Sequence, residues 1–303
     1  MVNIIYPPSR PQSVGEVLDS AFRIYSTTLL RCLPYSFASV IVGQLLSLYD
    51  VLHRPAATAA ALPAAAAHPA RGAGWVVLAL LVTVASMMFA NAVFLRQYAL
   101  STGRAASMAE ELSRGLRRVP GVLLMGILVA LALLATMIPV VAVLAATGAF
   151  AAITHPAGFS GSQIWSVIAV VLVVAAAASW VAIKWVCAMP VYLLTDRGPI
   201  DSMSHSWRLT AGNFWRLSII YTVGVILLIV FYALSIMVGT MVALWLGRGD
   251  VVLLMAVSTA VGALLAALFS PFYHALVLAV FGDLSVRREG ADLALRISAT
   301  AIQ

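Results

Sequence analysis

The chain has 303 residues, of which 63% are hydrophobic and 10% are charged, and its formal net charge is +7. A typical globular chain has about 25% charged residues, so this composition excludes a soluble globular protein. The two cysteines, Cys32 and Cys187, fall in or beside apolar segments, and we expect no disulfide framework. We interpret the positive charge as a signal of membrane topology and lipid contact, and we expect no nucleic-acid partner.

Six apolar segments are each long enough to cross a bilayer, which requires about 20 residues of helix. They predict an all-α integral membrane protein with six transmembrane helices. Since they occupy more than half of the chain, we expect one polytopic membrane domain over residues 1–303, with a tail at 282–303. The segments are Leu29–Val51, Trp75–Leu100, Pro120–Ile153, Ile164–Leu194, Phe214–Leu246 and Val251–Phe281.

The arginines are divided unequally between the two ends of these segments. Fourteen lie in the N-terminal segment, the 2–3 and 4–5 loops, the tail and the adjoining span ends. The other face holds Arg54, Arg71 and Arg248. Loops rich in Lys and Arg stay in the cytoplasm, so we predict that both termini are cytoplasmic.

Arginine supplies 17 of the 18 basic residues, which together with the high alanine content is typical of a GC-rich bacterial genome. We therefore expect a multi-pass protein of the bacterial inner membrane.

Three short segments align without gaps, and each precedes a pair of apolar segments. We interpret them as the starts of three pseudo-repeats, at about 13–103, 107–197 and 198–281. The segments read SVGEVLDSAFRIY from Ser13, SMAEELSRGLRRV from Ser107 and GPIDSMSHSWRLT from Gly198. The aligned positions are acidic (Glu16, Glu110, Asp201), small (Ala21, Gly115, Ser206), bulky (Phe22, Leu116, Trp207) and basic (Arg23, Arg117, Arg208).

Each aligned segment is predicted to be an amphipathic helix lying in the membrane interface. Apolar residues recur at helical spacing, and the first two segments begin with the S-x-x-E capping pattern. Such helices place their apolar face toward the lipid and their arginines toward the headgroups. Phe22, Trp207 and Trp215 are the expected interfacial anchors. We interpret the stretch SHSWRLTAGNFWRLS, residues 204–218, as the third such helix running into the fifth span, with a ligand clamp as the alternative.

Three stretches together resemble a known family. They are RPQSVGEVLDSAFRIY near the start, AMPVYLL followed by PIDSMSHSWRLTAGNFWRL in the middle, and SPFYHALVLAVFGDLSVRREGADLAL at the end. The set is similar to the bacterial membrane domain named after glycerophosphoryl diester phosphodiesterases. The resemblance implies a multi-span module, found alone or beside a catalytic domain, whose name does not establish an activity. The sequence LLTDRG departs from the family pattern, because Asp196 is the sole acidic residue there.

Catalytic motifs are missing from the sequence. The resemblance implies that the phosphodiesterase half would need a His-Arg pair, metal-binding carboxylates and a second histidine. The one HRP sequence, at His53, opens an Ala/Pro-rich loop and no Glu-x-Asp follows it. His68 and His155 lack the spacing of metal ligands. We therefore expect a protein that is not an enzyme and that has no cofactor and no metal.

Polar residues inside the predicted spans are the candidate ligand-binding residues. Asn91, Lys184 and His274 all lie in even-numbered spans, some seven to ten residues before the end that we assign to the cytoplasm. At 1.5 Å per residue this corresponds to a common depth of about 10–15 Å. An ionisable residue within a membrane marks a function or a buried partner. The alternatives are a snorkelling Lys184, an interhelical hydrogen bond of Asn91 and a satisfied buried His274.

The leading hypothesis is a non-enzymatic membrane protein that binds or translocates a lipid or another amphiphile, in particular an anionic lipid. It predicts that Asn91, Lys184 and His274 face one cavity, with Arg23, Arg117 and Arg208 around its cytoplasmic mouth. The alternative is a scaffold or accessory subunit that docks a partner enzyme or transporter, or forms a homo-oligomer. A membrane hydrolase is the least favoured hypothesis.

Overall fold

The computed structural model describes residues 5–52, 72–146, 161–247 and 251–290, and within these ranges it contains helices and no strand. The histidines His53, His68 and His155 and the arginines Arg54, Arg71 and Arg248 lie outside the described residues. In chain order the helices are α1 (Val14–Leu52), α2 (Ala73–Ser101), α3 (Met108–Arg117), α4 (Val119–Ala146), α5 (Gly161–Trp185), α6 (Ala188–Leu194), α7 (Pro199–Thr210), α8 (Phe214–Gly247) and α9 (Val251–Glu289).

Six helical segments in the described part are long and apolar enough to cross a membrane, which confirms the prediction of a six-span, multi-pass protein. Exposed tryptophans mark both ends of α8. Trp215 is 79% exposed and Trp245 is 82% exposed, and the two are thirty residues apart. At 1.5 Å per residue this separation is about 45 Å, close to the thickness of about 40–45 Å of a bilayer with its headgroups.

The first amphipathic segment does not form the separate helix that we predicted, because α1 runs without a break from Val14 to Leu52. No glycine or proline lies between Tyr25 and Leu29 to interrupt it. The hydroxyls of Thr27 and Thr28 instead donate to carbonyls four residues earlier in the same helix, each at 2.7 Å. With no helix-breaking residue at this point, the helical backbone continues from the amphipathic segment into the first span.

The second and third amphipathic segments do form separate short helices, α3 and α7. Pro120 follows closely on the end of α3 and suits the first turn of α4, since the missing N–H of proline costs nothing there. After α7 the chain turns at Gly212, whose φ of 74° lies in the left-handed region that favours glycine. The difference from the first segment thus follows from the residues that come directly after each helix.

The fourth predicted span is interrupted, and its two parts are α5 and the short α6. Pro190 lies in the first turn of α6. It has no N–H to donate to the carbonyl of Val186, and the loss of this bond weakens the helix where the interruption occurs. The break at Val186 and Cys187 leaves backbone groups that need partners from elsewhere in the protein.

The described chain divides into two compact units, and α8 begins in the second and ends in the first. In the first unit, residues 1–119 and 222–303, α1 packs on α2 and α9, and α2 also contacts α3 and α9. The N-terminal segment joins the ends of two of these helices. The N–H of Ile5 donates to the Ser101 carbonyl at 3.0 Å, and the N–H of Gln12 donates to Asp283 Oδ1 at 2.8 Å.

The second unit comprises residues 120–221. Within it, α7 contacts both α5 and α6, so it lies against the two parts of the interrupted span. The buried side of α7 consists of small or medium-sized residues: Ser202, Met203, Ser206, Leu209 and Thr210.

We predict that Gly115→Ala destabilises the protein by about 1–3 kcal/mol. A Cβ at Gly115 would lie 2.9 Å from the carbonyl oxygen of Met88, a backbone atom of α2 that cannot rotate away. Gly126→Ala is the matched control, because a Cβ there meets no atom within 4 Å. Thermal unfolding in detergent should show a lower midpoint for the first variant and an unchanged or higher midpoint for the second. Equal midpoints would contradict the close approach of α3 to α2.

Candidate functional site

The interruption between α5 and α6 is closed by a hydroxyl from α7. Ser206 Oγ donates to the carbonyl oxygen of Lys184 at 2.8 Å and accepts from the N–H of Cys187 at 3.1 Å. In a continuous helix these two backbone groups would bond to their neighbours four residues away. Thr210 lies one turn further along α7, and its hydroxyl is 3.5 Å from the same Lys184 carbonyl. Ser206, which is 0% exposed, therefore replaces the hydrogen-bond partners that these two backbone groups lose at the break.

The side chain of Lys184 lies among tryptophans. Its Nζ is 5.1 Å from the ring centre of Trp207 and 5.9 Å from that of Trp180. The two indoles meet edge to face with their centres 5.0 Å apart, and Trp185 lies 6.1 Å from Trp207. The faces of indole rings attract a cation through their negative charge distribution. We call Lys184, Trp180, Trp185 and Trp207 the lysine–tryptophan cluster.

The ammonium of Lys184 carries three N–H donors. Within the described part of the chain, neither a carboxylate nor another hydrogen-bond acceptor contacts it. Indole faces attract the charge but do not provide the oxygen lone pairs that an ammonium prefers. Trp180 and Trp207 are both more than a third exposed, so the cluster is open on one side. The arrangement can accept an anion next to an apolar aromatic surface.

Asn91 and His274, the other two predicted polar residues, belong to the first unit, whereas Lys184 belongs to the second. Asn91 is 1% exposed, and its Nδ2 donates to the carbonyl of Gly115 at 3.1 Å. This bond joins α2 to α3. The His274 ring lies with Nδ1 3.2 Å from the carbonyl of Ser270 in its own helix. Their sharing of one cavity with Lys184 stays a prediction.

The three aligned arginines, Arg23, Arg117 and Arg208, have exposed side chains, and none forms an ion pair with another described residue. Of the predicted anchors, Phe22 contacts Phe272 of α9 with ring centres 4.9 Å apart. Trp215 projects outward at the start of α8.

A buried ionic network in the first unit was missed by the sequence analysis. Tyr35 Oη donates to Glu111 Oε2 at 2.5 Å, and Arg96 Nη1 donates to Glu111 Oε1 at 3.2 Å. Glu111 is 3% exposed, and the network joins α1, α2 and α3. Charged residues are almost never fully buried unless they are paired, so this carboxylate depends on its two partners.

The sequence alignment placed the acidic position at Glu110, one residue from the buried carboxylate. Glu110 is exposed and pairs with Arg114 at 2.9 Å on the same helix. A signal for Glu111 is its spacing of four from Gly115, because residues i and i+4 lie on one face of a helix. Since a small residue at Gly115 indicates close packing, the same face could have been predicted to be buried.

An apolar groove of about 400 Å³ lies between α8 and α9 in the first unit. The hydroxyls of its two serines form hydrogen bonds within their own helices. Ser235 donates to the carbonyl oxygen of Phe231 at 2.8 Å, and Ser270 donates to that of Ala267 at 3.5 Å. The groove therefore presents an almost wholly apolar surface. Its lining residues are Val225, Leu228, Ile229, Phe231, Tyr232, Ser235, Ala266, Phe269 and Ser270.

Comparison with known proteins identifies one family. The family model described as the membrane domain of glycerophosphoryl diester phosphodiesterase matches residues 25–294, which confirms the resemblance. No curated protein and no solved structure matches the chain.

We predict that Glu111→Ala destabilises the protein by about 3 kcal/mol, because it leaves Arg96 without its buried counter-charge. Glu110→Ala should have little effect, since the ion pair that it removes is exposed. The two adjacent glutamates thus form a matched pair for thermal unfolding in detergent. A similar decrease in the unfolding midpoint of both variants would contradict the difference in burial between Glu111 and Glu110.

Proposed function

We propose that this chain, which belongs to the family of glycerophosphoryl diester phosphodiesterase membrane domains, binds or translocates a lipid or another amphiphile and is not an enzyme. Its ligand has an anionic group, which Lys184 contacts, and an apolar part that lies against the neighbouring indoles. The proposal includes a location in the bacterial inner membrane with both termini in the cytoplasm.

The proposal is based on the surroundings of the Lys184 ammonium. It rests on the faces of Trp180 and Trp207, with no acceptor among the described residues. A phosphate or carboxylate oxygen would provide the missing acceptor and form a charge-assisted hydrogen bond, which is stronger than a neutral one. The exposed side of the cluster leaves room for such a group.

The position of Lys184 in its span favours an amphiphile over a free anion. Lys184 lies ten residues before the end of the apolar segment Val167–Leu194, a distance of about 15 Å at the helical rise per residue if the short interruption is neglected. A ligand at that depth must tolerate an apolar environment over part of its surface. A phosphodiester lipid has the anionic and apolar parts that the cluster would accept.

The remaining predicted residues have secondary parts in this proposal. Arg23, Arg117 and Arg208 are exposed and would contact headgroups at the membrane surface. Asn91 already donates one hydrogen bond to α3, and His274 lies near a carbonyl of its own helix. For that reason we rank Asn91 and His274 below Lys184 as candidate ligand contacts.

The three-fold repeat is also proposed, and the burial of the aligned positions supports it. The small residues Ala21, Gly115 and Ser206 are all buried. The bulky and basic residues that directly follow them are exposed in every copy. An arbitrary alignment of three helical segments would not be expected to place a buried small residue before two exposed residues in every copy.

We predict that Lys184→Ala removes most of the anionic phospholipid that the wild-type protein retains in mild detergent, because the ligand loses its charge partner. Loss of one charge-assisted hydrogen bond, about 1.5–3 kcal/mol, corresponds to a weakening of roughly ten-fold or more. Native mass spectrometry measures the retained lipid and gives its mass. Lys184→Arg should retain much of the binding because the charge remains.

The matched control for this experiment is Arg114→Ala, which removes an exposed cation paired on its own helix in the first unit. It should leave the retained lipid unchanged. If Lys184→Ala also leaves it unchanged, Lys184 is a snorkelling residue, and the scaffold hypothesis is then favoured over lipid binding.

The proposed topology predicts opposite labelling of two engineered cysteines. Gly72→Cys, before α2, should react with a membrane-impermeant maleimide on intact cells, whereas Ser9→Cys should react only after the membrane is disrupted. Both positions are exposed. The native Cys32 and Cys187 are 0% exposed, which keeps the background low. The reverse pattern would place the N-terminus outside the cytoplasm.

A further inference from the structure

We infer that Ser206 is the positioning residue for the Lys184 site, and that α7 controls the direction in which the Lys184 side chain leaves its span. This inference rests on the proposed function, since it concerns how the same lysine is presented to its ligand. It assigns a role to a buried serine that has no contact with the ligand.

The hydroxyl of Ser206 contacts the backbone on both sides of the interruption. Lys184 is the penultimate residue of α5, and its carbonyl accepts from Ser206 Oγ at 2.8 Å. The same hydroxyl oxygen accepts from the Cys187 N–H at 3.1 Å. One side chain thus binds the chain on both sides of the interruption, and it fixes the end of α5 relative to the start of α6.

The residue that follows Ser206 on α7 lies next to the side chain of Lys184. Trp207 directly follows Ser206, and its ring centre is 5.1 Å from Lys184 Nζ. Consecutive residues of α7 therefore contact the backbone and the side-chain end of the same lysine. Thr210 adds a longer contact to the Lys184 carbonyl at 3.5 Å. A shift of α7 would move both contacts together.

Loss of the Ser206 hydroxyl would affect the backbone at the end of α5. Ser206 is 0% exposed, so bulk solvent does not reach its hydroxyl in the wild-type protein. Replacing it by alanine leaves the buried N–H of Cys187 without its partner and leaves the Lys184 carbonyl only the longer contact to Thr210, and unpaired polar groups are costly in an apolar environment. The local backbone must then rearrange, and the ammonium leaves its place over the indole faces.

The test is a double-mutant cycle of wild type, Ser206→Ala, Lys184→Ala and the double variant, with native mass spectrometry of phosphatidylglycerol titrated into detergent-purified protein. We expect Ser206→Ala alone to weaken binding about five-fold, within the range for loss of one or two hydrogen bonds. In the Lys184→Ala background the same change should have no further effect, since Ser206 acts through the lysine. Equal weakening in both backgrounds would overturn the inference.

A second readout does not depend on lipid binding. Lys184 is the one lysine of the sequence, so amine-reactive labelling followed by peptide mass spectrometry reports on it alone, apart from the N-terminus. Ser206→Ala should label several-fold faster than wild type. Ser204→Ala, an exposed serine of the same helix, is the control and should label at the wild-type rate. An unchanged labelling rate for Ser206→Ala would contradict the positioning role, even if lipid binding is weakened.

The combined results separate the two proposals. If Lys184→Ala does not weaken phosphatidylglycerol binding but Ser206→Ala accelerates labelling, the proposed function fails and the positioning role stands. Parallel titrations with phosphatidylcholine and with inorganic phosphate identify the group that is recognised. Competition by inorganic phosphate indicates recognition of the phosphate alone, and equal binding of both lipids contradicts selection of an anionic headgroup.

Discussion

The constraint on which this structure depends is that backbone N–H and C=O groups at membrane depth need partners within the protein. The fourth span does not satisfy this requirement by itself, because it is interrupted before Pro190. A single buried hydroxyl, that of Ser206, provides partners on both sides of the interruption. Helix α7 thus supplies hydrogen-bond partners that the span itself lacks, and its Trp207 forms part of the lysine–tryptophan cluster.

Comparable contacts join helices in the first unit. Asn91 of α2 donates to the Gly115 carbonyl of α3, and Tyr25 of α1 donates to the Leu268 carbonyl of α9 at 3.1 Å. Gln97 of α2 donates to the carbonyl of Pro271 at 2.9 Å. In each case a polar side chain binds a backbone carbonyl of another helix. Hydrogen bonds of this kind hold membrane helices together where apolar packing distinguishes poorly between protein and lipid.

The number and approximate bounds of the spans were predictable, because long apolar segments are the strongest signal in a sequence. The capping pattern was also predictable, and Ser13 and Glu16 form the reciprocal pair of bonds. The sequence does not reveal which proline interrupts a span, because the helix breaks beside Pro190 but continues through Pro34 and Pro271. Glu111 was missed because its burial depends on tertiary contacts with Tyr35 and Arg96.

Amide hydrogen exchange at Cys187 tests the central claim most directly, since its N–H is donated to Ser206 and lies at the interruption. The account predicts slow exchange in the wild-type protein and exchange at least about ten-fold faster in Ser206→Ala, which corresponds to the loss of about 1.4 kcal/mol of local protection. Exchange that is equally slow in both proteins would contradict it, because the N–H of Cys187 would then have a partner other than the hydroxyl of α7.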